Sequence, residues 1–144
     1  MGMYTELNIG VAFKEDTEQS IIDILKYMLS DSAVEPALPD HELFKTHRWT
    51  FMLCCDSYYF DGQTDSSLTF DDISNQYYLN VRCNLKNYGD EIRKFMDFIQ
   101  PYLDTRGFLG YTRYEEDGDP TLIYNTKDGI IYEVHGNRDC TTFW

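Results

Sequence analysis

The side chains that most often catalyse reactions or bind metals are few and scattered in this chain. There are three histidines and four cysteines: His41, His47, His135, Cys54, Cys55, Cys83 and Cys140. None of the histidines lies in a metal-binding helix motif, a nucleophile elbow or a phosphate loop. No C-x-x-C pair occurs, and adjacent cysteines in a strand point to opposite faces, so we expect no zinc site at Cys54 and Cys55. These residues predict no catalytic centre, metal or cofactor.

An acidic, aromatic segment is the leading candidate for a binding surface. The window between Arg48 and Arg82 contains five aspartates and no Lys or Arg. Carboxylates steer the encounter with a basic partner, and aromatic side chains supply the anchors that become buried in an interface. Turn formation and solubility would also account for the aspartates. The residues predicted to bind the partner are Asp56, Tyr58, Tyr59, Asp61 and Asp65.

A second acidic run, Glu115-Glu116-Asp117-Gly118-Asp119, lies in the C-terminal half of the chain. Calcium prefers several carboxylate oxygens, but this run lacks the spaced ligands and the closing glutamate of a calcium loop. We therefore expect a solvated hairpin tip at this position.

Polar residues on predicted strands form an alternative candidate site for a small ligand. Their strands have one apolar face for the core, so these side chains would line an open sheet surface or a cleft between two halves of the fold. An ordinary half-solvated sheet would show the same pattern. The predicted ligand-binding residues are Asn8, Asn80, Arg82, Tyr78 and Tyr111.

In the first half of the chain, the hydrophobic pattern predicts a strand followed by a helix. Apolar residues alternate from Leu7 to Phe13, and Asp16 is the expected helix cap, with Gln19 completing a capping box. An apolar stripe from Ile21 to Leu29 predicts that the helix packs on the sheet. Trp49–Cys55 is a predicted second strand, Leu68–Phe70 a short third one, and Asp61-Gly62 a hairpin turn.

The second half repeats this plan. Apolar residues alternate from Leu79 to Leu85, Asn87 is a candidate helix cap, and an apolar stripe from Ile92 to Leu103 predicts a helix that Pro101 ends near Gln100. Three further strands are predicted at 108–115, 121–126 and 130–134. Lys127-Asp128-Gly129 joins the last two as a hairpin.

A sequence echo relates the two halves. Leu7-Asn8-Ile9 reappears 72 residues later as Leu79-Asn80-Val81. The predicted fold class is α+β, with two helices packed on one face of a mainly antiparallel sheet. It is built from two pseudo-repeated β-α-β-β halves, about 3–72 and 77–135, in a single domain spanning 1–144. Residues 1–2 are interpreted as a leader before a natural start at Met3.

Composition and charge exclude several classes of protein. The 144 residues are 42% hydrophobic and 16% aromatic, which excludes a disordered chain. A net charge of −13 argues against direct binding of nucleic acid or anionic membranes. Residues 1–72 carry 14 acids and 4 bases, a net of −10, whereas residues 73–144 carry 11 acids and 8 bases, a net of −3. No secretion signal or membrane-spanning segment is recognised, so a reducing cytoplasm is the expected location.

The leading functional hypothesis is a non-catalytic acidic binding protein that engages a basic protein partner, as an inhibitor or immunity protein would. The alternative is a small-molecule binding module, with a cleft for a polar or cationic ligand between the two halves. A small enzyme is third, because catalytic residues can come together from distant positions. The sequence leaves the oligomeric state open, with a homodimer as one alternative. The terminal Phe143-Trp144 pair is expected to dock in a groove.

Overall fold

Six strands form one antiparallel sheet in the order β2-β3-β1-β4-β5-β6. The computed structural model describes residues 3–134. The strands are β1 (Thr5–Ala12), β2 (Ser67–Asp71), β3 (Gln76–Leu85), β4 (Gly107–Tyr114), β5 (Thr121–Thr126) and β6 (Gly129–Val134). The two α-helices are α1 (Gln19–Met28) and α2 (Glu91–Ile99), and three short 3₁₀ helices occur at Glu42–Lys45, Met52–Cys54 and Gln100–Tyr102. This confirms the predicted α+β class and its antiparallel sheet.

The connections follow a split β-α-β plan. Helix α1 connects β1 to β2, with β3 lying between these two strands, and α2 connects β3 to β4, with β1 lying between them. Two such units, interleaved in this way, form a known supersecondary arrangement. Strands β5 and β6 extend the sheet beyond β4 as a meander.

The two strands that carry the sequence echo are neighbours at the centre of the sheet. Ile9 of β1 lies opposite Val81 of β3, and these are the equivalent positions in the echo. The helices begin at Gln19 and Glu91, which are also 72 residues apart. After the helices the halves differ, with one strand in the first half and three in the second. A true duplication of the chain stays a prediction.

The core lies between the helices and one face of the sheet. Leu7, Ile9 and Val11 of β1 point toward the helices, as do alternate residues of β3 from Leu79 to Leu85. Both helices bury their apolar stripes in the same cluster. Burying one such side chain contributes roughly 1.5–3 kcal/mol, so the amphipathic pattern holds both helices on a single face.

The predicted strand at Trp49–Cys55 is wrong, because this segment forms turns and the 3₁₀ helix Met52–Cys54. Trp49, Met52 and Leu53 are the buried residues, and their spacing is that of a helical turn. The turn packs these three side chains on the core beside β3 and α1, and the run does not join the sheet. The expectation that Cys54 and Cys55 point to opposite faces of a strand is therefore also wrong.

The turn and cap predictions have mixed outcomes. Asp16 does not cap α1, which begins at Gln19 without a side-chain cap bond. The side chain of Asn87 does help to cap α2, because its Oδ1 accepts a hydrogen bond from the amide of Ile92 at 2.9 Å. Asp61-Gly62 does not join two strands. The end of α2 before Pro101 and the hairpin turn between β5 and β6 are confirmed.

Candidate functional site

The acidic, aromatic segment crosses the outer face of the sheet, the face opposite the helices. We call residues 56–66 the strap. Both of its ends are fixed at the edge of β3, where Asn84 donates its amide to the carbonyl of Cys55 at 3.0 Å and Asp65 donates its amide to the carbonyl of Arg82 at 2.9 Å. Between these ends the strap reaches across β1 to β4.

A buried stack holds the middle of the strap. Phe60 is 8% exposed, and the guanidinium of Arg113 lies 5.1 Å from the centre of its ring. Arg113 Nε lies 3.4 Å from Oε1 of Glu6, which is its cross-strand partner and is also buried. The side chain of Arg113 stays 37% exposed, so this contact engages its guanidinium without enclosing it.

The aromatic pair next to Phe60 is exposed. The rings of Tyr58 and Tyr59 are stacked, with centroids 4.7 Å apart, and Tyr59 also contacts Tyr4 at 5.7 Å. Tyr58 is 85% exposed and Tyr59 is 39% exposed. A hydrogen bond with Tyr58 and the negative charge of Glu115 raise the pKa of Tyr59 above its ordinary value.

The second acidic run lies beside this tyrosine pair. Glu115 Oε1 accepts a hydrogen bond from the amide of Tyr4 at 2.7 Å, and the Glu115 amide donates to the Tyr4 carbonyl at 3.0 Å. Burial, followed by the charges of Glu116 and Glu115, raises the pKa of Tyr114. Two acidic segments more than 50 residues apart in sequence therefore meet at one end of the sheet.

We call this region the acidic tyrosine end, consisting of Tyr4, Asp56, Tyr58, Tyr59, Asp61, Glu115 and Glu116. The sequence did not reveal that these segments meet. The pairing of β1 with β4 brings them together, because Tyr4 directly precedes β1 and Glu115 directly follows β4. Of the predicted partner residues, Asp56 accepts a hydrogen bond from Asn84, whereas Asp65 lies at the edge of β3, away from the tyrosine pair.

The five residues of the predicted ligand site share the outer face of the sheet. Asn8 lies between Arg82 and Tyr111 on neighbouring strands, and its Nδ2 donates to the hydroxyl of Tyr111 at 3.3 Å. Asn80 and Tyr78 continue the same face along β3, where they lie opposite Gly10 and Ala12. The strap covers one end of this row at Arg82. A ligand on this face stays a prediction.

The histidines within residues 3–134 do not face a nucleophile. His41 Nδ1 accepts the amide of Leu43 at 3.1 Å, and its ring packs edge-on against Phe44 and Phe98, so it caps a 3₁₀ helix. His47 is exposed. Cys83 is buried in the core, and burial raises the pKa of its thiol. His135, Cys140 and the predicted docking pair Phe143-Trp144 lie outside the described residues.

The described residues offer neither a metal site nor a membrane-spanning helix. Between residues 3 and 134, no group of three His, Cys, Asp or Glu side chains is placed to hold a metal ion. None of the helices in that part of the chain has the length and apolar character needed to cross a membrane.

Comparison with known proteins gives no relative: no family model, no curated protein and no solved structure matches this chain significantly.

Proposed function

We propose that this protein is a non-catalytic binding protein whose acidic tyrosine end engages a basic surface on a protein partner. The observation that carries the proposal is the exposed Tyr58–Tyr59 stack, flanked by carboxylates from two separate segments. An inhibitor or immunity protein would use such a surface. The described cysteines are free, as in proteins of the reducing cytoplasm, where we propose that it acts.

Charge favours a basic partner. The chain has a net charge of −13, and two of its cations are engaged in internal contacts. Arg113 pairs with Glu6, and Arg48 pairs with buried Glu91 at 3.7 Å while its guanidinium lies over the ring of Tyr88. Asp61 and Glu116 are exposed, and their carboxylates would accelerate encounter with a cation-rich surface.

The tyrosines supply the anchor that carboxylates alone lack. Tyrosine combines a large apolar ring with a hydroxyl group and is enriched among the residues that dominate binding energies. Tyr58 leaves most of its ring in solvent, which is costly for an isolated protein and favourable once a partner covers it. Its stacking on Tyr59 restricts the rotamers of both rings, so less conformational entropy is lost on binding.

The test compares two charge variants in capture from the native cell lysate. D61N/D65N/E116Q removes three exposed carboxylates from the strap and the neighbouring hairpin. The matched control D16N/D72N/D128N removes three exposed carboxylates from turns at the opposite end of the sheet. We expect a basic protein, identified by mass spectrometry, to be retained by the wild type and the control and lost from the first variant.

Salt and the tyrosine anchor give independent readouts with the purified partner. Association should slow as ionic strength rises from about 0.01 M to about 1 M, because the Debye length falls from about 30 Å to about 3 Å. Tyr58→Ala should mainly accelerate dissociation, by about tenfold or more, while the melting temperature stays unchanged. Equal capture by both charge variants, or salt-independent association, would contradict the proposal.

A polar small molecule on the outer face remains the second proposal. The hydrogen-bonded pair Asn8 and Tyr111, next to Arg82, favours it. Loss of ligand-induced stabilisation in Asn8→Ala, with capture of the protein partner retained, would separate this function from the first.

A further inference from the structure

A cavity of about 370 Å³ opens on the helix side of the sheet, away from the strap. Its existence follows from the width of the sheet. Six strands spaced about 4.8 Å apart span about 24 Å, whereas two helices of about 10 Å diameter cover less. The 3₁₀ helix Met52–Cys54 packs on β3 and α1, and the other two 3₁₀ helices pack on α2, so the inner face of β4, β5 and β6 beside the start of α2 is left partly open.

The strands line this cavity with hydroxyl groups. Thr5 on β1 lies opposite Tyr114 on β4, and Thr112 on β4 lies opposite Thr121 on β5. Tyr132 of β6 completes the wall. Each hydroxyl can donate one hydrogen bond and accept two, so this wall recognises groups that both donate and accept.

Most of these hydroxyl groups have no protein partner within residues 3–134. The side chains of Thr5, Tyr114 and Thr121 make no hydrogen bond there, and the oxygen of Tyr132 is fully buried without one. Thr112 is the exception, since its hydroxyl donates to the carbonyl of Glu6 at 2.9 Å. A buried polar atom without a partner is destabilising, and such atoms in native proteins require an explanation.

The charges at the rim exclude an anionic ligand. Asp90 and Arg93 pair at 3.5 Å, and Arg93 also lies over the ring of Tyr132 at 4.4 Å, so this cation is already engaged. Asp117 adds a further carboxylate to the lining. With a net charge of −13 on the whole chain, the field at this cavity repels anions.

We propose that this cavity binds a small neutral polyhydroxylated molecule, of the size and chemistry of a monosaccharide or cyclitol. The volume lies within the range of about 300–1,000 Å³ found for ligand pockets. The ligand hydroxyls would pair with those of Thr5, Tyr114 and Thr121, whereas the fully buried oxygen of Tyr132 has no surface to offer a ligand. The cavity lies on the helix side of the sheet, whereas the strap crosses the outer face.

The test measures binding of D-glucose, D-galactose, D-ribose and myo-inositol by thermal shift and by saturation-transfer NMR. Inorganic phosphate and L-arginine serve as charged probes. Tyr114→Phe and Thr121→Val each remove one cavity hydroxyl with little change in shape. Thr69→Val is the matched control, because Thr69 is exposed on β2, remote from the cavity.

We expect at least one neutral probe to bind the wild type and Thr69→Val, and each cavity variant to bind it about tenfold more weakly. Both cavity variants should melt close to the wild-type temperature, because neither hydroxyl makes a hydrogen bond within residues 3–134. Binding that survives in both variants would place the ligand elsewhere. Failure of all neutral probes, or binding of phosphate or L-arginine alone, would overturn the proposal.

Discussion

The buried polar side chains of this protein differ in the partners that compensate for their burial. Glu91 is fully buried, and its carboxylate accepts the amide of Gly89 at 2.9 Å and faces Arg48 at 3.7 Å. A buried charge is tolerated only with such partners, and removal of one partner costs about 3–5 kcal/mol. Tyr132 differs, since its buried hydroxyl has no partner within the described residues. Glu91 therefore holds the start of α2 through these contacts, whereas the hydroxyl of Tyr132 is a position where burial lowers stability.

The pH dependence of unfolding should reveal the burial of Tyr132. Burial raises the pKa of Tyr132 to about 12, from an ordinary value of 10.0. Because the folded state holds the proton more tightly, this contribution is fully present below pH 10 and is lost between pH 10 and 12. The slope is at most about 1.4 kcal/mol per pH unit. Denaturant unfolding of the wild type should weaken more steeply across this window than that of Tyr132→Phe, whereas parallel curves would contradict the assignment.

Single residues of the candidate site were only partly predictable from sequence. The alternation of β3 indicated that Arg82 lies outside and Cys83 inside, and both positions are confirmed. Asp61 and Tyr58 were selected by composition, and both are exposed. The ring stack of Phe60 with Arg113 could not be predicted, because it joins two segments that are distant in sequence.

Individual elements show why local pattern suffices for some segments and fails for others. The strands of the second half lie close to their predicted bounds, and β3 alternates buried and exposed residues from Leu79 to Cys83. The run 49–55 has both the composition of a strand and the spacing of a helical turn. Its conformation is decided by tertiary packing, in which Trp49, Met52 and Leu53 all reach the core from one turn.

The junction of β1 with β4 should be especially sensitive at Gly110. Its φ of +149° lies in a region that disfavours side chains, and an added Cβ would meet the backbone of Asn8 and Ile9. Gly110→Ala should therefore destabilise the fold by about 3 kcal/mol or more, measured by denaturant unfolding. Gly10→Ala is the control, because its Cβ would meet only the Asn80 side chain at 3.4 Å. It should change stability by less than about 1 kcal/mol, and an equal loss in both variants would refute the close approach.

At the scale of the whole molecule, the charge distribution opposes folding. The chain carries 25 acidic and 12 basic residues, and the tertiary structure brings two of the acidic segments together at one end. Mutual repulsion of carboxylates lowers stability, and this cost is offset by the core between the sheet and the helices. A surface that remains acidic at such a cost is consistent with a binding role.

Salt should therefore stabilise the protein. We expect the melting temperature of the wild type to rise when sodium chloride increases from about 0.01 M to about 0.15 M, since screening weakens the repulsion. D61N/D65N/E116Q should show a smaller rise, because it lacks Asp61 and Glu116 of the acidic tyrosine end and Asp65 at the end of the strap. A melting temperature that is independent of salt, or a rise as large in the variant as in the wild type, would show that repulsion at this end is not significant.

The sequence by itself determined the class of the fold, the buried faces of its helices and strands, and the excess of acid. These properties follow from local periodicity and composition, which act over a few residues. Only the tertiary structure decided that Glu115 lies beside Tyr4 and that the strap crosses to Arg113. It also decided that the sheet extends beyond its helices and leaves a cavity. These features depend on strand order and on the relative widths of the two layers, and both arise from contacts between residues far apart in the chain.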